Sequence, residues 1–222
     1  MLNLKDKHLR WLVFALSAAA CVAYAVAYFE PMWGWYLSAP QYPDGLVMSV
    51  YLDHVAGDTT EINILNHYIG MAKLEEAAQL ERALAVYGVL GIGLIVLLGV
   101  FLPGRRYSKY FFIPSLVFPL VFLGMMYYWM YRFGHELSPD APVTVPPFTP
   151  TLLGRGSIGN FQTLGLPGTG FYLVLLAGVL VAAAFWLRRR VCSGCKEKCG
   201  LTCPHLFVGS DRKTHPRLPV MR

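Results

Sequence analysis

Four apolar runs constrain this 222-residue chain more than any other feature: Leu9 to Phe29, Ala83 to Leu102, Phe111 to Tyr131 and Gly170 to Leu187. Each is about 18 to 22 residues long, the length of helix that crosses the hydrocarbon core of a bilayer. Hydrophobic residues make up 55% of the chain and charged residues 14%, with a mean hydropathy of +0.46. A soluble domain of this size does not need such a balance. The expected fold is an all-α membrane protein: a four-transmembrane-helix bundle with a small exoplasmic α+β loop domain and a cytoplasmic Cys-rich tail. The lipid bilayer is its first expected partner.

Basic residues orient the bundle, because Lys and Arg beside membrane spans stay on the cytoplasmic side. Lys5, Lys7 and Arg10 precede the first span, Arg105, Arg106 and Lys109 fill the short loop after the second, and Arg188, Arg189 and Arg190 follow the fourth. The two longer loops hold most of the carboxylates. Both termini are therefore expected in the cytoplasm, N-in/C-in. The net charge of +6 reads as a topology signal, and no basic, aromatic-interleaved pattern points to nucleic acid. The run LSAAAC at Leu16 to Cys21 loosely resembles a lipoprotein cleavage site, but the apolar stretch continues through Phe29, as in an uncleaved signal anchor.

The chain divides into an N-terminus with the first span (1–29), an exoplasmic loop (30–82), two spans joined by a basic loop (83–131), a Pro/Gly-rich exoplasmic lid (132–169), the fourth span (170–187) and the tail (188–222). Trp33, Trp35 and Tyr36 read as an interfacial aromatic belt. From Leu46 to Val55 the residues alternate, with Leu46, Met48, Val50 and Leu52 on one face, and Thr59 to Leu65 reads as a second strand of a hairpin. A helical turn ended by Gly70 follows, and Ala72 to Arg82 is expected to run as helix into the second span. The lid is expected to lie, ordered but irregular, over the first loop.

No span has an ionisable residue at its middle, which argues against proton-coupled transport and against haem held by histidines in the bundle. Chemistry is left to the two membrane faces. Outside, Glu61 to Met71 reads EINILNHYIGM and places Asn63, His67 and Met71 at i, i+4 and i+8. On one helix these share a face; if Asn63 belongs to a strand, only His67 and Met71 keep that relation. His54, Met126, Met130 and His135 are expected at the same depth. Imidazoles and thioethers without exoplasmic cysteine suit copper, with Asp53, Glu61 and Asn63 as partners orienting the ligands. The plain alternative is that Met71 packs a small domain and His67 sits at the interface.

Inside, Cys192, Cys195, Cys199 and Cys203 form C-x2-C-x3-C-x3-C-P, the ligand count of an all-thiolate zinc site or an iron-sulfur cluster. The middle gap is one residue longer than in the bacterial ferredoxin run. Free or reversibly modified thiols are the alternative. Cys21, alone in the first span, reads as a buried, inert thiol.

EINILNHYIGM, with FTPTLLGRGSIGNFQT (Phe148 to Thr163) and PGTGFYL (Pro167 to Leu173), resembles a group of small multi-span membrane proteins that accompany nitrous oxide reductase and copper-maturation genes in bacteria and archaea. The resemblance covers about half the chain and does not include the cysteine tail. It implies a non-enzymatic accessory protein of the inner membrane that binds or delivers copper for a respiratory copper enzyme. Its partners would be membrane or periplasmic proteins of that system, and His67 and Met71 are the positions that match the motif. An electron-transfer subunit with an iron-sulfur tail and a purely structural subunit are the competing readings.

Overall fold

The computed structural model describes residues 4–39, 41–101, 105–158 and 161–193. Helices α1 (Leu4–Phe29), α2 (Thr59–Tyr68), α3 (Gln79–Phe101), α4 (Arg105–His135) and α5 (Thr169–Ser193) are joined by strands β1 (Trp33–Ala39), β2 (Tyr42–Val50), β3 (Val55–Gly57), β4 (Gly154–Ile158) and β5 (Phe161–Pro167). Four helices are long and apolar enough to cross a membrane, over Trp11–Phe29, Gln79–Gly99, Tyr110–His135 and Thr169–Arg188. In hydrocarbon a helix is the single-segment solution that satisfies its own amides and carbonyls. Pro114 and Pro119 lie inside α4, where neighbouring helices tolerate them.

Small side chains let α1 and α5 approach closely. Ala20, Ala23 and Ala27 on α1 and Val174, Ala177 and Val181 on α5 are all buried in one core. The buried Tyr24 hydroxyl lies 2.8 Å from both the carbonyl and the Oγ of Ser115, tying α1 to α4. At the far end of the bundle α3 and α4 touch, with Gly99 against Phe111 and Phe112.

The loops depart from an all-α fold. Both contribute to one five-stranded antiparallel sheet of order β3-β2-β1-β5-β4. The sheet caps the end of the bundle where α1 and α4 finish and α3 and α5 begin. Trp33, Trp35 and Tyr36 thus lie on the central strand, Tyr36 exposed and the two tryptophans buried instead of forming an interfacial belt. Trp33 pairs with Val50 on one side and Pro167 on the other. The indoles of Trp33 and Trp35 are buried and donate to the carbonyls of Leu152 and Thr151, so their polar ends are satisfied by the second loop instead of by headgroups. Leu46, Met48 and Val50 do share the inner face, as the alternation predicts. Their hairpin partner, however, is β1, and Thr59 to Leu65 is helical.

The helix wins over the strand at α2 because Ile62 and Asn66, four residues apart, are the positions buried on it. Gly70, at φ +78°, ends that stretch as expected. Residues 72–82 are not a continuous helix: a 3-10 turn spans Leu74–Glu76, and Ala78, at φ +53°, breaks the chain before α3. Asn63 causes the turn, accepting from the Leu74 amide at 2.9 Å and donating to the Glu75 carboxylate at 2.9 and 3.0 Å. The second loop lies against the end of α2, with Ser138 N–H on the Gly70 carbonyl and Val143 N–H on that of Tyr68. Over Gly154–Ile158 and Phe161–Pro167 it is strand and not irregular lid. The Pro103-Gly104 junction and the tail from residue 194 onward lie outside the described residues.

A methionine-lined cavity as candidate functional site

A cavity of about 430 Å³ lies between the inner face of the sheet, α2, the start of α3 and the second half of α4. Strand alternation brings Trp35, Leu37 and Met48 to its roof, and Ile62 and Asn66 of α2 form part of its wall. On α4, Phe118, Phe122, Met126, Met130 and Phe133 recur at three- and four-residue spacing and make one long side. Five of the eight methionines, Met48, Met71, Met125, Met126 and Met130, line this one space.

The structure brings together only part of the expected exoplasmic set. Met71 and Met130 share the cavity, joined by Met126. His67 is exposed on α2, its ring 6.5 Å from that of Tyr68. His135 is exposed at the end of α4, stacked 3.9 Å from the Tyr131 ring with Nδ1 2.9 Å from the Tyr131 carbonyl oxygen. Neither histidine lines the cavity. Asn63 and His67 keep the helical i, i+4 relation, whereas Met71 lies past the helix end with its amide on the Asn66 carbonyl. Met48 and Met125 were not among the expected ligands; for Met48 the signal was the inner-face alternation of β2.

The expected orienting residues have other partners. Asn63 builds the 3-10 turn, and Glu61 is exposed in the first turn of α2. Asp53 holds His54 at 2.6 Å through Nδ1 and accepts from the Tyr28 hydroxyl at 3.0 Å, while the His54 ring stacks on Tyr51 at 4.3 Å. Burial pushes the Asp53 carboxyl up, but the hydrogen bonds from His54 and Tyr28 outweigh it, so the group lies below the usual carboxylate range. Among the described residues no three His, Cys, Asp or Glu side chains group as a metal site. Cys192 falls in the last turn of α5, and Cys195, Cys199 and Cys203 lie outside the described residues.

The thioethers of the five methionines are the soft, uncharged donors on the cavity wall. Such donors select Cu(I) over harder cations, and the same polarizable side chains also suit an adaptable apolar binding surface. The polar contribution is small: Glu81 and Arg82 at the start of α3, Asn66, Thr163 and Trp129. Arg82 donates to the Leu74 carbonyl at 2.7 Å. Thr163 Oγ1 and Trp129 Nε1 are buried without a hydrogen-bond partner. Compared with known proteins, the chain matches no protein-family model and no curated protein.

Proposed function

We propose that this is a multi-span membrane accessory protein that holds Cu(I) through thioethers at the outer end of its helix bundle and supplies it to a periplasmic copper enzyme. The observation that carries the reading is the convergence of Met71, Met125, Met126, Met130 and Met48 on one cavity. They come from three separate parts of the chain, so helical periodicity alone does not account for their meeting. The expected site is revised accordingly. Met71 and Met130 remain ligands, Met125 and Met126 join them, and His67 and His135 become surface groups available to a partner protein. The resemblance to proteins that accompany nitrous oxide reductase genes supports the same role. The cavity faces the periplasm if the basic starts of α1 and α4 and the basic end of α5 are cytoplasmic, as the positive-inside rule requires. On the resemblance to those proteins, the membrane of this reading is the inner membrane of a bacterium or archaeon.

The test is an anaerobic Cu(I) titration of the full chain in nanodiscs against a competing chelator. One Cu(I) per chain is expected. Met71→Leu and Met130→Leu, which conserve volume and apolarity, should each weaken binding about tenfold or more, equivalent to about 1.4 kcal/mol. His67→Ala should leave it unchanged. Failure to bind Cu(I), or equal binding by the Leu variants, overturns the reading.

A further inference from the structure

We infer that the cavity opens sideways to the bilayer between α3 and α4 and that an acyl chain of a membrane phospholipid occupies it. This inference does not rest on the copper reading. The two helices touch at Gly99 and Phe111, but beside Gly88 the space is open: a Cβ added there would meet nothing within 4 Å. Gly88 and Val121, on either side of that gap, both line the cavity and are exposed. Both belong to segments long and apolar enough to cross a membrane, so the medium at this opening is hydrocarbon, not water.

Shape and polarity indicate the occupant. The volume falls in the roughly 300 to 1,000 Å³ range of small-molecule sites, and apolar cavities stay dry and take apolar guests. The α4 side runs from Phe118 to Phe133, about 22 Å at 1.5 Å per residue, which suits an extended chain better than a compact ligand. At the outer end the wall is made by Trp129, Met130 and Phe133. Gly88 and Val121 mark where the chain leaves for the bilayer.

The experiment uses the full chain in phospholipid nanodiscs containing a lipid with a diazirine in its acyl chain. After photolysis, crosslinked peptides are compared between cavity positions (Ala85, Met125, Met126) and outward positions (Leu90, Leu94, Leu120). Labelling at the cavity positions is expected to equal or exceed that outside. Gly88→Leu, which fills the gap, should lower it about fivefold relative to the outward positions, and Ala85→Phe should do the same. Outward labelling reports that each variant is folded and inserted. The pair Met125→Leu and Met126→Leu keeps the cavity apolar and should retain lipid labelling while losing Cu(I), so the two proposals fail separately. Label confined to the outward positions, or a cavity-to-outward ratio unchanged by Gly88→Leu and Ala85→Phe alike, overturns the inference.

Discussion

Asn63 offers the sharpest test of how the region around Met71 is held. Its Oδ1 accepts from the partly buried Leu74 amide at 2.9 Å and its Nδ2 reaches both Glu75 oxygens at 2.9 and 3.0 Å. Asn63→Ala removes all three contacts. The neutral bond to the amide contributes about 1 kcal/mol. The exposed amide-to-carboxylate bonds, screened by water, add about 0.5 to 1 kcal/mol. A loss of about 1.5 to 2 kcal/mol lowers hydrogen-exchange protection over residues 72–78 about 10- to 30-fold, since 1.4 kcal/mol is a factor of ten. Asn63→Asp keeps the acceptor for Leu74 but sets a second carboxylate beside Glu75, a repulsion of about 1.4 kcal/mol at 3 Å in a water-like dielectric.

Two carboxylates sharing a site raise one pKa above its unfolded value of about 4. The sign follows: protection in Asn63→Asp is fully present below about pH 4, where one proton bridges the pair, and is lost as pH rises through the raised folded value. Asn63→Ala has no such step. Exchange mass spectrometry between pH 4 and 7, corrected for intrinsic rates, measures both. A flat ratio of the two variants across that range, or unchanged protection in Asn63→Ala, refutes the assignment of the 3-10 turn to this side chain.

Two further outcomes are expected. Asp53 has a depressed folded pKa, so its link between Tyr28 and His54 is present above the unfolded carboxylate value and is lost as pH falls through the folded one; exchange over residues 51–57 in acidified wild type should approach that of Asp53→Asn at neutral pH, and a wild type indifferent to acid contradicts this. Topology is read by an impermeant maleimide in a variant whose five natural cysteines are serine: Ser157→Cys, exposed on β4, should label in intact cells, and Cys192 restored alone only after permeabilisation, with the reverse pattern inverting the bundle.

The spans were legible because a bilayer fixes helix length and excludes charge from the middle, leaving long apolar runs that local inspection finds. The sheet was not. Trp33, Trp35 and Tyr36 have the composition of an interfacial belt, and that composition is equally that of a strand. What distinguishes them is pairing with β5, as in Trp33 with Pro167, which no window along the sequence contains. Thr59 to Leu65 is rich in β-branched residues and read as strand; burial of Ile62 and Asn66 sets a helical period that propensity opposes.

The same separation explains why the candidate site was half visible. Met71 and Met130 could be suspected from depth alone, but Met48 reaches the cavity only because β2 pairs with β1, and β1 turns its Trp35 face toward the bundle. The histidines looked equivalent to the methionines in sequence because both lie near the outer surface. The fold separates them: His67 is exposed on α2, off the face that buries Ile62 and Asn66, and His135 is held on its own helix by Tyr131. Thioethers can be buried in an apolar space at little cost, whereas an imidazole left there unpaired costs about 1 to 3 kcal/mol. The fold therefore turns five methionine side chains to the cavity and leaves His67 and His135 exposed, with Glu81 and Arg82 the charged residues on the cavity wall.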